Sequence, residues 1–335
     1  MKWGLLGAGK LLDRWIKGFR QIEDAEIAGI ASRTIETAEK RASELGISSA
    51  MTYEEMLKQK DIDIIYIAVP HTAHKDLAIR AMEAGFPVLV EKPAAVTAYD
   101  WDEMTTCAER NHVFLMEAVW TLFFPAIREL YDRINSGEIG DIRCIQSAFA
   151  YRIPDDYHGR LTDPRAAGGA LLDVGVYNLH LAQFLYGESP VRWAGLASFD
   201  TNETENQIDE QEAYIGQYAD GALSILSSAI RTEMPDTAWI YGTKGMIRIP
   251  TFWKAGEFEI IKDGISQTFS LPVPQKIPGI IDEGYQFEIS HVQKCIRSGL
   301  AESPVVTHSI TRSVLSQCDE LRGQWKLRYP FEQHL

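Results

Sequence analysis

Asp173, Tyr177 and His180 interrupt GGALLDVGVYNLHLAQFLYG, a segment otherwise apolar on nearly every face. On an α-helix their spacing of i, i+4 and i+7 sets them in one stripe. Buried polar groups are costly unless they are paired or face a water-filled site. Tyrosine alone is a poor base at neutral pH, its reference pKa being about 10. A nearby ammonium favours the phenolate, and such a pair can exchange a proton with an alcohol or a carbonyl oxygen. The chain offers that ammonium in FPVLVEKPAAV, where Glu91, Lys92 and Pro93 follow an apolar, β-prone run. Pro93 keeps Lys92 in extended conformations and so limits where its side chain points. Tyr177 and Lys92 thus make an acid/base couple suited to hydride chemistry, whereas a solvent-exposed helix edge is the plainer alternative for the stripe.

A second set of residues has the pattern of a dinucleotide site. GLLGAGKLL puts Gly7 and Gly9 between a predicted strand and a predicted helix, the setting that gives G-x-G-x-x-G its meaning. The first glycine permits a tight turn, and the second lets backbone approach a pyrophosphate at the helix N-terminus, with Lys10 and Leu11 alongside. The third position holds Leu12 instead of a small residue, which leaves the path of the first helix open. At the end of the second strand, where an acidic residue would bind the ribose of NAD, AGIASRT offers Ser32 and Arg33. A hydroxyl and a guanidinium suit the 2′-phosphate of NADP, so NADP(H) is expected ahead of NAD; a solvated surface arginine is the alternative. Later strands end in AVPHTAH, EKP and MEAVW. Pro70, His71, His74, Glu91, Lys92, Glu117 and Trp120 therefore reach the carboxyl edge where open α/β sheets bind ligands, although histidines at a helix start also serve as caps.

Two different sheets must position these groups. Over the first 120 residues KWGLL, AEIAGIA, DIIYIAV, FPVLV and HVFLMEA alternate with helical patterns such as TIETAEKRASELG, the rhythm of βαβ units on a parallel sheet. Beyond about residue 140, IRCIQSAFAYRI, EAYIGQYAD, GALSILSSAI, TAWIYGT and GMIRIP succeed one another with little helix between them, as in an antiparallel sheet. The change predicts a dinucleotide-binding domain over 1–120 and a second domain, carrying the polar stripe, over 121–335. Two closing helices, near 281–298 and 309–326, can pack back on the first domain. The 335 residues are 45% hydrophobic, enough for two cores. A net charge of −14 argues against nucleic acid. Four cysteines without CxxC spacing give no metal knuckle and no disulfide framework. No run approaches the roughly 20 apolar residues of a membrane span, and a cytoplasmic protein is expected.

The succession of motifs resembles the Gfo/Idh/MocA oxidoreductases. The resemblance runs through GLLGAG, ASR, AVPHTAH, AGFPVLVEKPAA, MEAVWTLFFPA, GGALLDVGVYNL, GTKGMIRIP and YPFE, and is most specific in EKP together with GGALLDVGVY. It is greatest toward the branch of dimeric dihydrodiol dehydrogenase, glucose-fructose oxidoreductase and NADP-dependent xylose dehydrogenase. It implies an α/β fold: an N-terminal Rossmann domain, doubly wound on a parallel sheet, and a C-terminal α/β domain. The second domain would carry a large, mostly antiparallel open sheet through which homodimers or homotetramers form. It also implies hydride transfer between nicotinamide and a secondary alcohol or ketone of a sugar, polyol or cyclic diol. Tyr177, at a position that is histidine in the inositol and many sugar dehydrogenases, would be the acid/base, Lys92 would assist it beside the nicotinamide, and Asp173 would orient the site. Trp120, His158, Arg160 and His180 fall on the substrate side, His180 where relatives often carry Asp. Leu122 stands where many of the branch have Arg, which argues for another substrate or changed packing. Relatives often have the Lys-Pro bond cis, and it is expected so here. Two other readings stay open. A non-catalytic NADP-binding regulator would tend to lose the lysine and tyrosine kept here, and an NAD-dependent glycosidase is disfavoured by Ser32 and Arg33.

Overall fold

The computed structural model describes residues 1–201 and 206–332. The chain gathers into two compact units, one made of residues 1–95, 99–120 and 273–311, the other of 96–98, 121–272 and the residues from 312 on. Along the sequence the helices are α1 (Leu12–Phe19), α2 (Ile35–Leu45), α3 (Tyr53–Met56), α4 (His74–Glu83), α5 (Ala98–Asn111), α6 (Pro125–Asn135), α7 (Val176–Tyr186), α8 (Tyr285–Arg297) and α9 (His308–Trp325). None of the described helices is long and apolar enough to cross a membrane.

The first unit holds six strands, β1 (Lys2–Leu6), β2 (Glu26–Ser32), β3 (Ala50–Thr52), β4 (Ile64–Ile67), β5 (Val88–Glu91) and β6 (Leu115–Ala118), in the order β3-β2-β1-β4-β5-β6. Every neighbouring pair is parallel. Every residue of β4, β5 and β6 is buried, which is why these strands read as continuous apolar runs and not as alternation. The order reverses between β1 and β4, and at such a switch point the carboxyl ends open a crevice. α2 starts where the Thr34 hydroxyl accepts from the Thr37 amide and stops at Gly46, whose φ of 66° closes the last turn.

Leu12 is fully buried as the first residue of α1, so the large third residue of the glycine motif enters the core. The small residue that close packing requires lies six positions on. A Cβ on Gly18 would sit 2.6 Å from Tyr285 Cβ, and α8 packs against α1 through that gap. Residues 273–311 therefore cluster with the six-stranded sheet. Trp15 supports the same face, stacked at 4.3 Å on Tyr66 of β4.

The second unit holds β7 (Ile142–Ala150), β8 (Arg192–Phe199), β9 (Asp209–Gln217), β10 (Leu223–Ala229), β11 (Ala238–Gly242), β12 (Met246–Ile249), β13 (Glu257–Lys262) and β14 (Ile265–Ser270), in the order β14-β13-β12-β11-β7-β10-β9-β8. All neighbours are antiparallel except β7 and β10. Period-2 alternation turns Tyr214, Leu226 and Ile240 inward, while Leu196, Ile215 and Ile225 remain exposed. The helix carrying the polar stripe is not α-helical throughout: Leu171–Gly175 forms a π-turn that runs into α7. Single π-turns inside helices are frequent at functional sites.

Candidate active site

The glycine turn follows β1. Gly7 has a φ of 127°, and a Cβ there would lie 2.1 Å from the Ala68 carbonyl oxygen, so only glycine fits. A Cβ on Gly9 would meet only the Ala68 oxygen, at 4.0 Å, and Gly9 and Lys10 are exposed. Leu11 precedes α1 without a side-chain cap, and the Leu12, Asp13 and Arg14 amides already donate to the Gly9, Lys10 and Leu11 carbonyls at 3.3, 3.1 and 3.0 Å, so a phosphate would meet the backbone of the turn ahead of the helix. Asp13 in the first turn, favourable to the helix dipole but adverse to a phosphate beside it, is paired with Arg41 at 2.9 Å, and the same guanidinium donates to the Gly9 carbonyl at 3.2 Å. Ser32 ends β2 buried, and Arg33 is exposed immediately after it. Arg33 is near enough to Tyr53 to oppose the rise that burial gives that phenol.

Lys92 sits on a loop whose backbone is gripped from three sides. Its peptide bond to Pro93 is cis, as expected. Its own amide donates to Glu91 Oε2 at 3.2 Å, and the Ala94 amide donates to Glu117 Oε1 at 2.9 Å. The Pro93 carbonyl lies 2.9 Å from Nδ1 of His74, whose Nε2 is 2.9 Å from the Val69 carbonyl. Glu117 Oε2 also accepts from the Thr311 hydroxyl at 2.8 Å, and Glu91 Oε1 accepts from the Tyr66 hydroxyl at 2.6 Å. Burial pushes the Glu91 carboxyl above its ordinary value, against the Tyr66 hydrogen bond and the Lys92 charge. Glu91 and His74 are thus buried braces of the lysine loop. His71 is buried with its ring 5.8 Å from that of His74, and Pro70 precedes the short 3₁₀ turn that opens with His71. Trp120 is buried and stacked on Tyr285 at 4.2 Å, with the Arg14 guanidinium over both rings.

In the second unit Asp173 and Tyr177 are both buried, on the π-turn and on the first turn of α7. Asp173 Oδ1 accepts from Arg160 at 2.8 Å, and Oδ2 accepts a short hydrogen bond from the Tyr151 hydroxyl. Burial, reinforced by the Asp173 charge, raises the Tyr151 phenol far above its ordinary value, so it stays protonated as that donor. The Tyr177 ring packs edge-on to Phe149 at 5.3 Å, and Phe149 stacks on Trp253. His180 lies on the same helix at 1% exposure. His158 instead lines an open cleft of about 540 Å³ with Thr162, Asp163 and Arg165. Leu122 is fully buried, a place where an unpaired arginine would be costly.

Three residues of this region escaped the sequence reading: Tyr151, Asp209 and Glu212. Tyr151 follows β7 in AFAYRIPDDY, where nothing separates it from other strand-end aromatics. Asp209 Oδ2 accepts the Leu171 amide at 2.6 Å, and Glu212 Oε1 accepts from Ser228 at 2.6 Å. Both carboxyls are buried beneath the π-turn.

Among known proteins, residues 1–119 match the oxidoreductase family with an NAD-binding Rossmann fold, and residues 127–248 match the GFO/IDH/MocA C-terminal domain. The trans-1,2-dihydrobenzene-1,2-diol dehydrogenase of Xenopus tropicalis is 32% identical over 98% of this chain and 99% of its own length. That of Mus musculus is 30% identical over 98% of each chain. A 3-ketoreductase from Actinomadura kijaniata, solved with NADP and TDP-benzene, shares the fold with a TM-score of 0.83 at 21% identity, over 96% of this chain and 97% of its own.

Proposed function

The chain belongs to the Gfo/Idh/MocA oxidoreductase family, and we propose that it is an NADP-dependent dehydrogenase or reductase. Its substrate is a secondary alcohol, or the matching ketone, of a sugar, polyol or cyclic diol. The observation that carries this reading is the turn after β1: Gly7 at positive φ against the Ala68 carbonyl, open Gly9 and exposed Lys10 ahead of α1, and exposed Arg33 after β2. A Cβ would fill this cradle at Gly7, and the residues fit a dinucleotide phosphate. Gly7, Gly9, Lys10 and Leu11 hold the pyrophosphate, and Ser32 and Arg33 hold the 2′-phosphate. The bound dinucleotide supplies or accepts the hydride. Names of the curated relatives favour a diol substrate.

On this reading Tyr177 gives its phenol proton to the substrate oxygen in reduction and takes it back in oxidation. Lys92 favours the phenolate electrostatically and lowers the cost of that transfer. Asp173 is paired with Arg160 and accepts from Tyr151, so its part is to orient the turn. Trp120, His158, Arg160 and His180 are assigned to the substrate side, Arg160 acting through Asp173. The exposed Leu196, Ile215 and Ile225 favour a second copy on that sheet face, in a homodimer or homotetramer.

Lys92→Met tests the chemistry. Turnover is measured by NADPH absorbance over a panel of pentoses, hexoses, inositols, osones and dihydrodiols, and NADPH affinity by fluorescence. The expected result is turnover lost with NADPH affinity kept; normal turnover in the variant removes Lys92 from the mechanism.

A further inference from the structure

The π-turn that carries Asp173 is held from below by two carboxyl groups. Asp209 and Glu212 lie on β9 at 0% and 1% exposure, three residues apart, a spacing that ordinarily sends strand side chains to opposite faces. A β-bulge reconciles them. Ser198 and Phe199 of β8 pair with Gln211 and Asp209, leaving Glu210 as the extra residue. The parity flips there, and both carboxyls point inward.

Each carboxyl has one oxygen accounted for. Asp209 Oδ2 takes the Leu171 amide, at the first residue of the π-turn. Glu212 Oε1 takes the hydroxyl of Ser228, its partner across the ladder to β10. Neither Asp209 Oδ1 nor Glu212 Oε2 meets a conventional donor among the described residues, although both are buried. The Asp209 and Glu212 carboxyls lie within hydrogen-bonding reach of each other; two such buried carboxylates repel, and one proton between them removes the repulsion and satisfies both oxygens. The backbone approaches this pair closely just before the π-turn and at its last residue. A Cβ on Gly169 would lie 2.1 Å from Asp209 Oδ1, and one on Gly175 would lie 3.1 Å from Glu212 Oε1. The Tyr214 hydroxyl reaches the Gly175 carbonyl at 3.4 Å, and the Tyr329 hydroxyl donates to the Gly168 carbonyl at 2.8 Å.

We propose that Asp209 and Glu212 share a single proton and act as a positioning pair that fixes the register of the π-turn and, through it, the placement of Asp173 and Tyr177. This rests on the acid/base reading of Tyr177. Glu212 carries the proton and donates it to Asp209, whose remaining oxygen anchors the Leu171 amide. A shift of about 1 Å in a reacting group costs up to roughly a hundredfold in rate, so the pair acts on turnover without touching substrate.

The test compares Glu212→Gln with Glu212→Leu, measuring kcat, KM, NADPH affinity and melting temperature, with Tyr177→Phe in the same assay. Glutamine keeps a donor toward Asp209 and an acceptor toward Ser228, so kcat stays within about twofold of wild type. Leucine keeps the volume and deletes both bonds, and kcat falls about tenfold or more with NADPH affinity unchanged. If leucine unfolds the chain, Glu212→Met fills the same space with a more adaptable side chain and is read the same way. Wild-type kcat in the folded apolar variant overturns the proposal, as does a glutamine variant as slow as the leucine one. Full activity in Tyr177→Phe overturns the acid/base reading instead, whatever the Glu212 variants do.

Discussion

Gly18→Ala is a substitution for which helix propensity and packing predict opposite signs. Alanine in place of glycine within a helix gains about 0.5–1 kcal/mol, and Gly18 lies in the last turn of α1. In the structure the added Cβ would sit 2.6 Å from Tyr285 Cβ, 2.7 Å from Asp282 Oδ1 and 2.9 Å from the Gln286 amide nitrogen. Carbon atoms settle at about 3.5–4.0 Å, so α1 and α8 must part by about 1 Å, and overpacking of this kind costs about 1–3 kcal/mol. The displaced Asp282 carboxylate accepts the amides of Gly284, Tyr285 and Gln286 at 3.0, 3.1 and 3.3 Å. Loosening this start of α8 adds a loss comparable to a helix cap, about 0.5–2 kcal/mol. The propensity gain offsets less than half of these losses, leaving a net destabilisation of about 2 kcal/mol. For a unit of this size that lowers the melting temperature by about 4–8 °C. Gly323→Ala is the control: Gly323 lies exposed in α9 with nothing within 4 Å of its added Cβ, so the same change is neutral or raises stability by up to about 1 kcal/mol. Thermal unfolding followed by circular dichroism reads both. A Gly18→Ala protein that melts at or above wild type refutes the close approach of α1 and α8.

Two further outcomes concern charge. If Arg33 holds the 2′-phosphate as proposed, Arg33→Ala removes a charge-assisted bond of about 1.5–3 kcal/mol, so the NADPH dissociation constant rises about ten- to a hundredfold while that of NADH stays put; equal weakening of both would take Arg33 out of cofactor discrimination. Glu288 is buried on α8, and burial, then the charges of Glu91 and Glu117, raise its carboxyl well above the ordinary value. The folded state therefore keeps this proton after the unfolded chain has released it near pH 4.3, and stability from this group falls as pH rises above that point. Glu288→Gln abolishes the titration, so denaturant midpoints of variant and wild type should diverge in the variant's favour from about pH 4.3 toward neutrality; parallel midpoints across that range would show that Glu288 is not the group responsible.

The parts of this protein legible in its sequence are those where one period holds over a whole element. The β4, β5 and β6 runs, the Thr34 and Gly46 ends of α2, and the glycine turn after β1 all follow rules that look no further than neighbouring residues. Lys92 and Glu91 could be set at the end of a buried strand for the same reason, but the grip of His74 and Glu117 on their loop could not. Those bonds join residues 19 and 23 positions apart and depend on strand order. The i, i+4, i+7 spacing of the polar stripe presumes a uniform α-helix, whereas Asp173 lies on a π-turn that changes the angular step before Tyr177. Asp209 and Glu212 were hidden by a similar local irregularity. Strict alternation puts one of them outside, and the bulge at Glu210 puts both inside. The π-turn and the bulge each insert one residue into a regular ladder, and they meet at the Leu171 amide on Asp209. A sequence departs from its own periodicity at a cost in local regularity, and two such departures bonded to each other beneath Asp173 are what mark this part of the second unit as shaped for positioning rather than for packing.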